Sequence, residues 1–268
     1  MTSVERMSAT DETRRKGTEL LRLHEADELL SVVNVWDAVS ARTVAAVEGT
    51  RALATASHSI AASFGYEDGE NIPVALMLEQ VGRIVAATDL PVSADLEGGY
   101  GDAAETVRRA IGVGVVGANI EDQMKPLDEA VRQVEAIMRV ASEEGVDFVL
   151  NARTDAFVLN REGDPDENLA TALERGRAFL DAGAPVVFVP GKLTEAQIET
   201  LVEAFGPRRL TTIGIPGTPS SAWQQEHGVA RISYGPLSQN VALTALQQLA
   251  EDVEQRGGGI PEGTRILN

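Results

Sequence analysis

The stretch PVSADLEGGYGD, residues 91–102, decides the fold that the sequence predicts. Its first four residues are mostly apolar, and two carboxylates follow, Asp95 and Glu97, whose spacing puts both on one side of an extended chain. A glycine-rich turn leads to Asp102, which with Glu105 forms the D-x-x-E pattern of a helix start. A strand that ends in paired acids and turns through glycines into a helix is typical of α/β proteins, which present oxygen ligands at that edge. A solvated acidic loop is the alternative interpretation.

The composition limits the possible functions. The 268 residues include 41 acidic and 23 basic side chains, for a net charge of −18. Such a field repels phosphate backbones and anionic lipid surfaces, which disfavours nucleic-acid and membrane partners. No cysteine occurs, so disulfides, thiolate metal sites and thiol nucleophiles are excluded. The sequence has neither an apolar signal segment nor an apolar run of about 18 residues, and we therefore expect a cytoplasmic protein.

Strand and helix patterns alternate along the chain. The predicted strands span residues 31–36, 51–57, 91–95, 115–120, 146–150, 185–189, 210–213 and 229–233. Apolar strands that are buried on both faces indicate a parallel sheet, either a closed barrel or an open doubly wound sheet. The count of eight favours an α/β fold of the (β/α)8 TIM-barrel type, and so does the position of the polar residues at the carboxyl ends of strands two to five.

No linker or shift of composition divides the chain, which predicts a single catalytic domain over residues 1–268. Residues 1–17 are expected to form a mobile leader. A helix over 19–30 covers one end of the fold, and a last helix spans 237–255. The glycine-rich residues 257–268 are expected to form a loose tail.

Residues 112–117 match G-x-G-x-x-G, the pattern of dinucleotide-binding loops. The pattern binds a pyrophosphate where it leaves a strand and opens a helix, whereas here it leaves a helix and enters a strand. A glycine helix stop followed by a tight turn is the better interpretation.

Four carboxylates follow successive elements: Asp68, Asp95, Glu97 and Glu121. In a barrel these positions converge on one mouth, where the acids would repel one another unless a cation were present. Oxygen ligands without cysteine or a histidine pair point to Mg²⁺, with Mn²⁺ as the other candidate.

Two further residues are candidates for the same mouth. Arg153 follows the fifth strand, where it can bind a substrate carboxylate or phosphoryl group through two hydrogen bonds, or form a structural salt bridge with one of the acids. His58 follows the second strand in a small-residue loop over 58–69, and it either lines the site or is an ordinary residue. His24 and His227 lie on predicted helices and have no metal-ligand spacing.

Over residues 30–240 the chain resembles the isocitrate lyase and phosphoenolpyruvate mutase superfamily. The D-x-D-x-G-Y-G metal motif of that superfamily is matched by DLEGGYG, with Glu97 in place of the second aspartate. The other matching segments are VWDAVSARTVAAVEG (35–49), TASHSIAASFGYED (55–68), NIED (119–122) and NARTDA (151–156).

The resemblance implies a Mg²⁺-dependent barrel in which Asp95 binds the ion directly and the other three acids hold its waters. It also implies that backbone amides near Ser57 and His58 receive a substrate carboxylate. A homo-oligomer is implied as well, a tetramer or dimer whose last barrel helix is exchanged between subunits. The candidate substrate-binding residues are Ser57, His58, Asn151 and Arg153, and the candidate catalytic residues are Arg153, Asp68 and His58.

The chain departs from this superfamily after Glu121 and Asp122. Isocitrate and methylisocitrate lyases carry a mobile K-K-C-G-H lid there, whereas this chain runs almost at once into a helix over 128–144 and has no cysteine. The resemblance therefore favours a lyase that acts on a small 2-oxo or 2-hydroxy acid through an enolpyruvate intermediate. Oxaloacetate decarboxylation is the preferred form, because departure of CO₂ generates the enolate without a base. The alternatives are phosphoenolpyruvate mutase or phosphonopyruvate hydrolase chemistry, and a non-catalytic binder of 2-oxo acids.

Overall fold

Residues 9–267, the part of the chain that the computed structural model describes, contain nine strands in one parallel sheet. The strands are β1 (Leu30–Val32), β2 (Asn34–Val35), β3 (Leu53–Thr55), β4 (Val92–Asp95), β5 (Gly117–Glu121), β6 (Val149–Arg153), β7 (Val186–Phe188), β8 (Leu210–Ile213) and β9 (Arg231–Ser233). Each predicted strand overlaps one of these, with β1 and β2 together forming the first.

The sheet closes into a barrel through β1 and β2. Only Val33 separates the two strands, and β1 pairs with β9 while β2 pairs with β3. One continuous segment therefore supplies both edges of the sheet, which gives eight strand positions around a ring. The predicted single-domain (β/α)8 barrel is confirmed.

Helices follow the strands and cover the outside of the ring. They are α1 (Asp11–Glu25), α2 (Ala38–Ala45), α3 (Ser57–Ser63), α4 (Val74–Val85), α5 (Ala103–Gly112), α6 (Leu127–Glu144), α7 (Pro165–Asp181), α8 (Glu195–Phe205), α9 (Ser221–Glu226) and α10 (Leu237–Arg256). The predicted cap is present, since the Asp102 side chain accepts a hydrogen bond from the backbone N–H of Glu105. Thr194 likewise forms a capping box with Gln197 at the start of α8. The apolar core lies between this helical layer and the strands.

The bounds of α1 and α3 differ from the sequence predictions, and α1 spans residues 11–25 instead of 19–30. α1 begins at Asp11, so the predicted leader over 1–17 is wrong for its last seven residues; residues 1–8 lie outside the described part of the chain. Thr10 caps this helix, and Lys16 and Gly17 are buried within it. α3 occupies the first half of the region that was predicted to be a small-residue loop.

The helix α1 closes the amino-terminal end of the barrel, as predicted. A side chain at Gly117, at the start of β5, would meet Leu20 of α1 at 2.9 Å and the carbonyl of Val149 at 2.8 Å. Gly114 has a left-handed φ of 94° in the turn that joins α5 to β5. Residues 112–117 therefore end a helix and enter a strand, which confirms that they are a turn.

The last helix, α10, differs from the others because its apolar side chains are exposed. Val241, Leu243 and Leu246 are 71%, 52% and 60% exposed, and Gln239 is the one residue of the helix that is buried. Residues 257–267 beyond it form neither helix nor strand and are exposed. Within residues 9–267, every helix is too short or too polar to cross a membrane.

Candidate active site

Most of the predicted site residues lie at the carboxyl-terminal mouth of the barrel. Asp95, Glu121 and Arg153 are the last residues of β4, β5 and β6, which are neighbours in the sheet. Ser57 comes two residues after β3, the neighbour of β4 on its other side. Because all these strands are parallel, their last residues face one edge, the edge at which the sequence analysis expects a common mouth.

The Asp95 carboxylate accepts hydrogen bonds through one oxygen only, and its other oxygen has no donor. Its Oδ2 accepts hydrogen bonds from the backbone N–H of Ser57 at 3.2 Å and from the Ser57 hydroxyl at 3.0 Å. Its backbone N–H donates to the Thr55 hydroxyl at 3.0 Å. Its Oδ1 is buried and accepts no hydrogen bond from the described residues. A buried carboxylate oxygen without a donor is costly unless a cation or another ligand meets it.

Glu97 lies next to Asp95 and joins two loops. Its Oε1 accepts from the hydroxyl of Tyr100 at 2.8 Å, and its Oε2 accepts from the backbone N–H of Glu70. Glu70 returns a bond, since its Oε1 accepts from the backbone N–H of Tyr100 at 2.5 Å. Burial raises the pKa of Glu97 above its ordinary value. Asp68, near the end of the first loop, lies 3.5 Å from the Ser57 hydroxyl.

The backbone is strained at the three residues that form these hydrogen bonds. Glu70, Glu97 and Tyr100 have φ values of 62°, 53° and 55°, in the left-handed region that side chains other than glycine seldom adopt. Such strain persists where the surrounding contacts fix it, and it concentrates at functional sites. The sequence indicated neither Glu70 nor the hydroxyl of Tyr100 as part of the site.

Arg153 stands between two carboxylates at the mouth. Its Nη1 lies 2.8 Å from Glu121 Oε2, and its Nη2 and Nε both lie 2.7 Å from Asp155 Oδ1. Burial raises the pKa of Glu121 to about 8, against the opposing effect of Arg153. The structure thus shows the salt bridge that was one of the two interpretations of Arg153, and it adds Asp155, which the sequence prediction missed. The Arg153 side chain as a whole remains 20% exposed.

The short connection between β5 and α6 is anchored by Asp122. Its Oδ1 accepts from the backbone N–H groups of Met124 and Asp155, both at 3.0 Å. Its Oδ2 accepts from Arg175 Nε at 2.5 Å, and Arg175 Nη2 donates to the carbonyl of Lys125 at 2.8 Å. The segment 122–126 is therefore tied to both β6 and α7.

Two predicted residues are not brought to the mouth by their side chains. His58 is exposed in the first turn of α3, and its ring makes no hydrogen bond or ion pair with the described residues. The role that the resemblance implies for this position, binding of a substrate carboxylate, would use its backbone amide in the first turn of the helix and not its side chain. Asn151 is fully buried inside the barrel, where its Nδ2 donates to Asn119 Oδ1 at 2.6 Å and its Oδ1 accepts from the Thr211 hydroxyl at 2.5 Å.

The donor set fits a hard divalent cation bound by one carboxylate. Within residues 9–267, no three acid or histidine side chains come close enough to bind an ion together. Among the described residues, Asp95 Oδ1 is the buried carboxylate oxygen that lacks a donor, and Mg²⁺ usually binds one or two carboxylates and keeps several waters. Glu97 interacts electrostatically with Asp68 and Asp95, and Glu121 interacts with Asp95, so these acids lie in the same region of the mouth.

Comparison with known proteins finds relatives that are lyases and decarboxylases. The isocitrate lyase of Haloferax volcanii is 29% identical over 237 residues, which are 81% of this chain and 66% of the lyase, so the chain spans just under two thirds of its length. The oxaloacetate decarboxylase of Paraburkholderia xenovorans is 27% identical over 243 residues, 85% of this chain and 78% of the decarboxylase.

A solved structure from Burkholderia cenocepacia J2315, which carries a provisional phosphonomutase name, has a TM-score of 0.84 and 41% identity. The alignment covers 92% of this chain and all of that one. The family model described as phosphoenolpyruvate phosphomutase matches residues 20–254. This match includes every strand of the barrel and every residue of the site described above, and the chain therefore belongs to the phosphoenolpyruvate phosphomutase family, in the superfamily that its motifs resemble.

Proposed function

We propose that the protein is a divalent-metal-dependent lyase that breaks a C–C bond of a small 2-oxo acid, with oxaloacetate decarboxylation as the favoured reaction. The observation that carries the proposal is the partnerless Oδ1 of Asp95 near the cationic Arg153, at a mouth whose following loop, residues 122–126, contains no cysteine or histidine. A cation at Asp95 together with Arg153 can stabilise negative charge on a substrate, and the arrangement offers few groups for proton transfer. It suits a reaction whose main requirement is to stabilise an enolate.

The charges of the site support an anionic substrate that binds together with a cation. Five acids, Asp68, Asp95, Glu97, Glu121 and Asp155, face one arginine at the mouth. A dicarboxylate would be repelled by this set unless a metal ion offset part of the charge. Mg²⁺ is the metal that the resemblance implies and that the all-oxygen donors suit, and Mn²⁺ shares this preference.

Decarboxylation of oxaloacetate follows from these groups. The bond between C3 and the C4 carboxylate breaks, and its electron pair moves into the 2-oxo group to give CO₂ and an enolate. The metal, when bound, supplies a Lewis acid for the developing oxyanion. Arg153, at the mouth, orients the remaining carboxylate through two-point hydrogen bonding. A proton from water then adds to C3 and yields pyruvate. One oriented donor of this kind is typically worth ~3 kcal/mol of barrier reduction.

The loop after β5 distinguishes this reaction from cleavage of a 2-hydroxy acid. A 2-hydroxy acid must lose its hydroxyl proton to a base before its C–C bond breaks. Gln123 and Met124 cannot act as a base, and Asp122 is engaged in the ion pair with Arg175, so Lys125 is the titratable side chain of residues 122–126 that is left for this role. Decarboxylation needs no such base.

The second candidate is phosphoryl chemistry on phosphoenolpyruvate or phosphonopyruvate. The observation in its favour is the 41% identity to the structure with a phosphonomutase name. A mutase must protect a transferring phosphoryl group from water, which requires closure over the mouth. The anchored segment 122–126 is too short to serve as such a lid, so hydrolysis of a P–C bond is the form of this chemistry that the loop favours. A binder of 2-oxo acids without turnover is the third candidate.

A substrate panel tests the proposal. Oxaloacetate, methylisocitrate, phosphonopyruvate and phosphoenolpyruvate are each incubated with the protein and Mg²⁺, and pyruvate is measured together with CO₂, succinate and phosphate. The Asp95→Ala variant at equal concentration corrects for decarboxylation by the free metal ion. We expect pyruvate and CO₂ from oxaloacetate. Pyruvate with phosphate would establish the second candidate, and tight oxaloacetate binding without any product would establish the third.

We also propose that the protein is a homo-oligomer in which α10 packs against a neighbouring subunit. Three of its apolar side chains are more than half exposed in a single chain, whereas one apolar face of a helix in a globular protein is normally covered. Exchange of this last helix is the arrangement that the resemblance implies. The number of subunits is measured directly by sedimentation.

A further inference from the structure

An arginine crosses the interior of the barrel beneath the mouth. Arg231, the first residue of β9, is 1% exposed, and its Nη1 donates to the hydroxyl of Ser93 on β4 at 3.1 Å. β9 and β4 are not neighbours in the sheet, so this contact spans the lumen of the ring. The barrel therefore holds a cation on its axis, where such barrels are normally filled by branched apolar side chains.

The charge of this arginine is unpaired. Its Nε and Nη2 are buried and donate to none of the described residues, and no carboxylate within residues 9–267 forms an ion pair with it. Burial lowers the pKa of Arg231 to about 10, which leaves it protonated at neutral pH. The neighbouring His24 is neutral, because burial first and Arg231 second lower its pKa to about 3. A buried charge with unmet donors destabilises a fold, so stability does not explain the arginine.

The position of Arg231 relates it to the active site. Ser93 precedes Asp95 by two residues on β4, so both side chains point into the barrel on the same face of the strand, roughly 7 Å apart. Asp95 is also the carboxylate whose field acts on the arginine. The guanidinium thus lies one layer below Asp95, whose Oδ1 is buried without a hydrogen-bond donor.

We propose that Arg231 is a positioning residue, a fixed cation below Asp95 that strengthens the binding of an anionic substrate and weakens the binding of the metal ion alone. The proposal rests on the proposed function in so far as the ligand is a small carboxylate. A fixed charge in a water-poor interior acts through space on every ion at the mouth. It therefore has opposite effects on a cation and on an anion, whereas a packing role would change both in the same direction.

The test is a pair of equilibrium titrations on variants of Arg231. Arg231→Met removes the charge and keeps an apolar chain of similar length. Mg²⁺ affinity is measured by calorimetry on the metal-stripped protein. Affinity for oxalate, a planar dianion that resembles enolpyruvate, is measured at saturating Mg²⁺. Coulomb's law at ~7 Å with an effective dielectric of about 20 predicts a change of roughly fifty-fold for each unit of charge on the bound ion. We expect Mg²⁺ to bind the methionine variant at least about tenfold more tightly and oxalate to bind it at least about tenfold more weakly.

Two matched variants separate charge from contact. Arg231→Lys keeps the charge, and Ser93→Ala keeps the arginine but removes its hydrogen-bond partner. Both should bind Mg²⁺ and oxalate within about threefold of the unaltered protein, since the charge persists in each. Thermal unfolding of the methionine variant should occur no earlier than that of the unaltered protein, because an unpaired buried charge is removed.

Several results would overturn the proposal. Both affinities within twofold of the unaltered protein would mean that the charge is not felt at the mouth, and a parallel loss of both would indicate a packing role. If Arg231→Met does not fold, Arg231→Gln replaces it in the same titrations, and failure of both to fold would make the arginine structural. The titrations involve no turnover. If oxalate does not bind even the unaltered protein, the proposed function fails, and the Mg²⁺ titration still decides the role of Arg231.

Discussion

Asp122→Asn is expected to destabilise the protein strongly, because it leaves the Arg175 guanidinium buried without a counter-charge. The two side chains are 2% and 7% exposed, and they meet at 2.5 Å. An asparagine can keep the bonds from the backbone N–H groups of Met124 and Asp155 through its oxygen, but its amide group then faces the arginine donors. Removal of one partner of a buried pair costs about 3–5 kcal/mol. For a chain of this size that corresponds to a lowering of the melting temperature by roughly 6–15 °C.

Urea unfolding and calorimetry at a fixed protein concentration measure the effect. The control is Asp128→Asn, the same substitution in an ion pair with Arg132 of similar length whose side chains are 70% and 64% exposed, and it should leave the transition unchanged. Arg175→Met combined with Asp122→Asn should be more stable than the sum of the single changes by about 2 kcal/mol or more, since the orphaned charge is then absent. Additive effects, or a loss below about 1 kcal/mol for Asp122→Asn alone, would refute the reasoning.

Three further predictions concern the metal, the substrate and the assembly. Asp95→Ala should abolish Mg²⁺ binding in calorimetry and leave the far-UV circular dichroism unchanged, while Glu97→Asp should weaken binding less; equal affinity in the alanine variant would remove Asp95 from the role of direct ligand. Arg153→Lys should lower kcat/KM by at least about tenfold, near 1.5 kcal/mol, with little change in melting temperature, and an early melting variant of normal turnover would make the arginine purely structural. Leu246→Glu on α10 should reduce the oligomer to smaller species in sedimentation, whereas Gln248→Glu on the same helix should not, and unchanged sedimentation of the first variant would separate α10 from the interface.

Most strands of the barrel were predictable because they are short apolar runs that end at a polar residue or a glycine. The boundaries that failed are those at which tertiary contacts replace a sequence pattern. Residues 11–17 carry no apolar stripe, yet α1 begins there because its backbone packs closely: a side chain at Gly17 would meet Val146 Cγ1 at 2.9 Å. α3 reads SHSIAAS, whose small residues have no helical period.

The position of the mouth was predictable, since parallel strands must end at one edge. The side chains that lie inside the barrel, below the mouth, were not predictable. In a strand that is buried on both faces, alternate residues give no sign of which face points into the barrel. Arg231 and Ser233 share one face of β9, and the sequence leaves open whether that face lies towards the lumen or towards the helices. Asn151 was assigned to the mouth for the same reason, although it lies one layer below Arg153. The partners of a side chain across a barrel depend on the stagger of the strands, which no local pattern contains.

Glu97 shows how one methylene group changes the use of a motif position. The resemblance assigns the second acid of D-x-D-x-G-Y-G to the waters of a metal ion, and here the longer side chain accepts from Tyr100 and from the backbone of Glu70. These two bonds use about half of the acceptor capacity of a carboxylate, so the group can still accept from a water on the side of Asp95. The bonds also fix the loop that carries Asp68, a second candidate for those waters. Glu97 therefore joins two of the predicted water-binding positions into one unit, and a shift of either loop changes both.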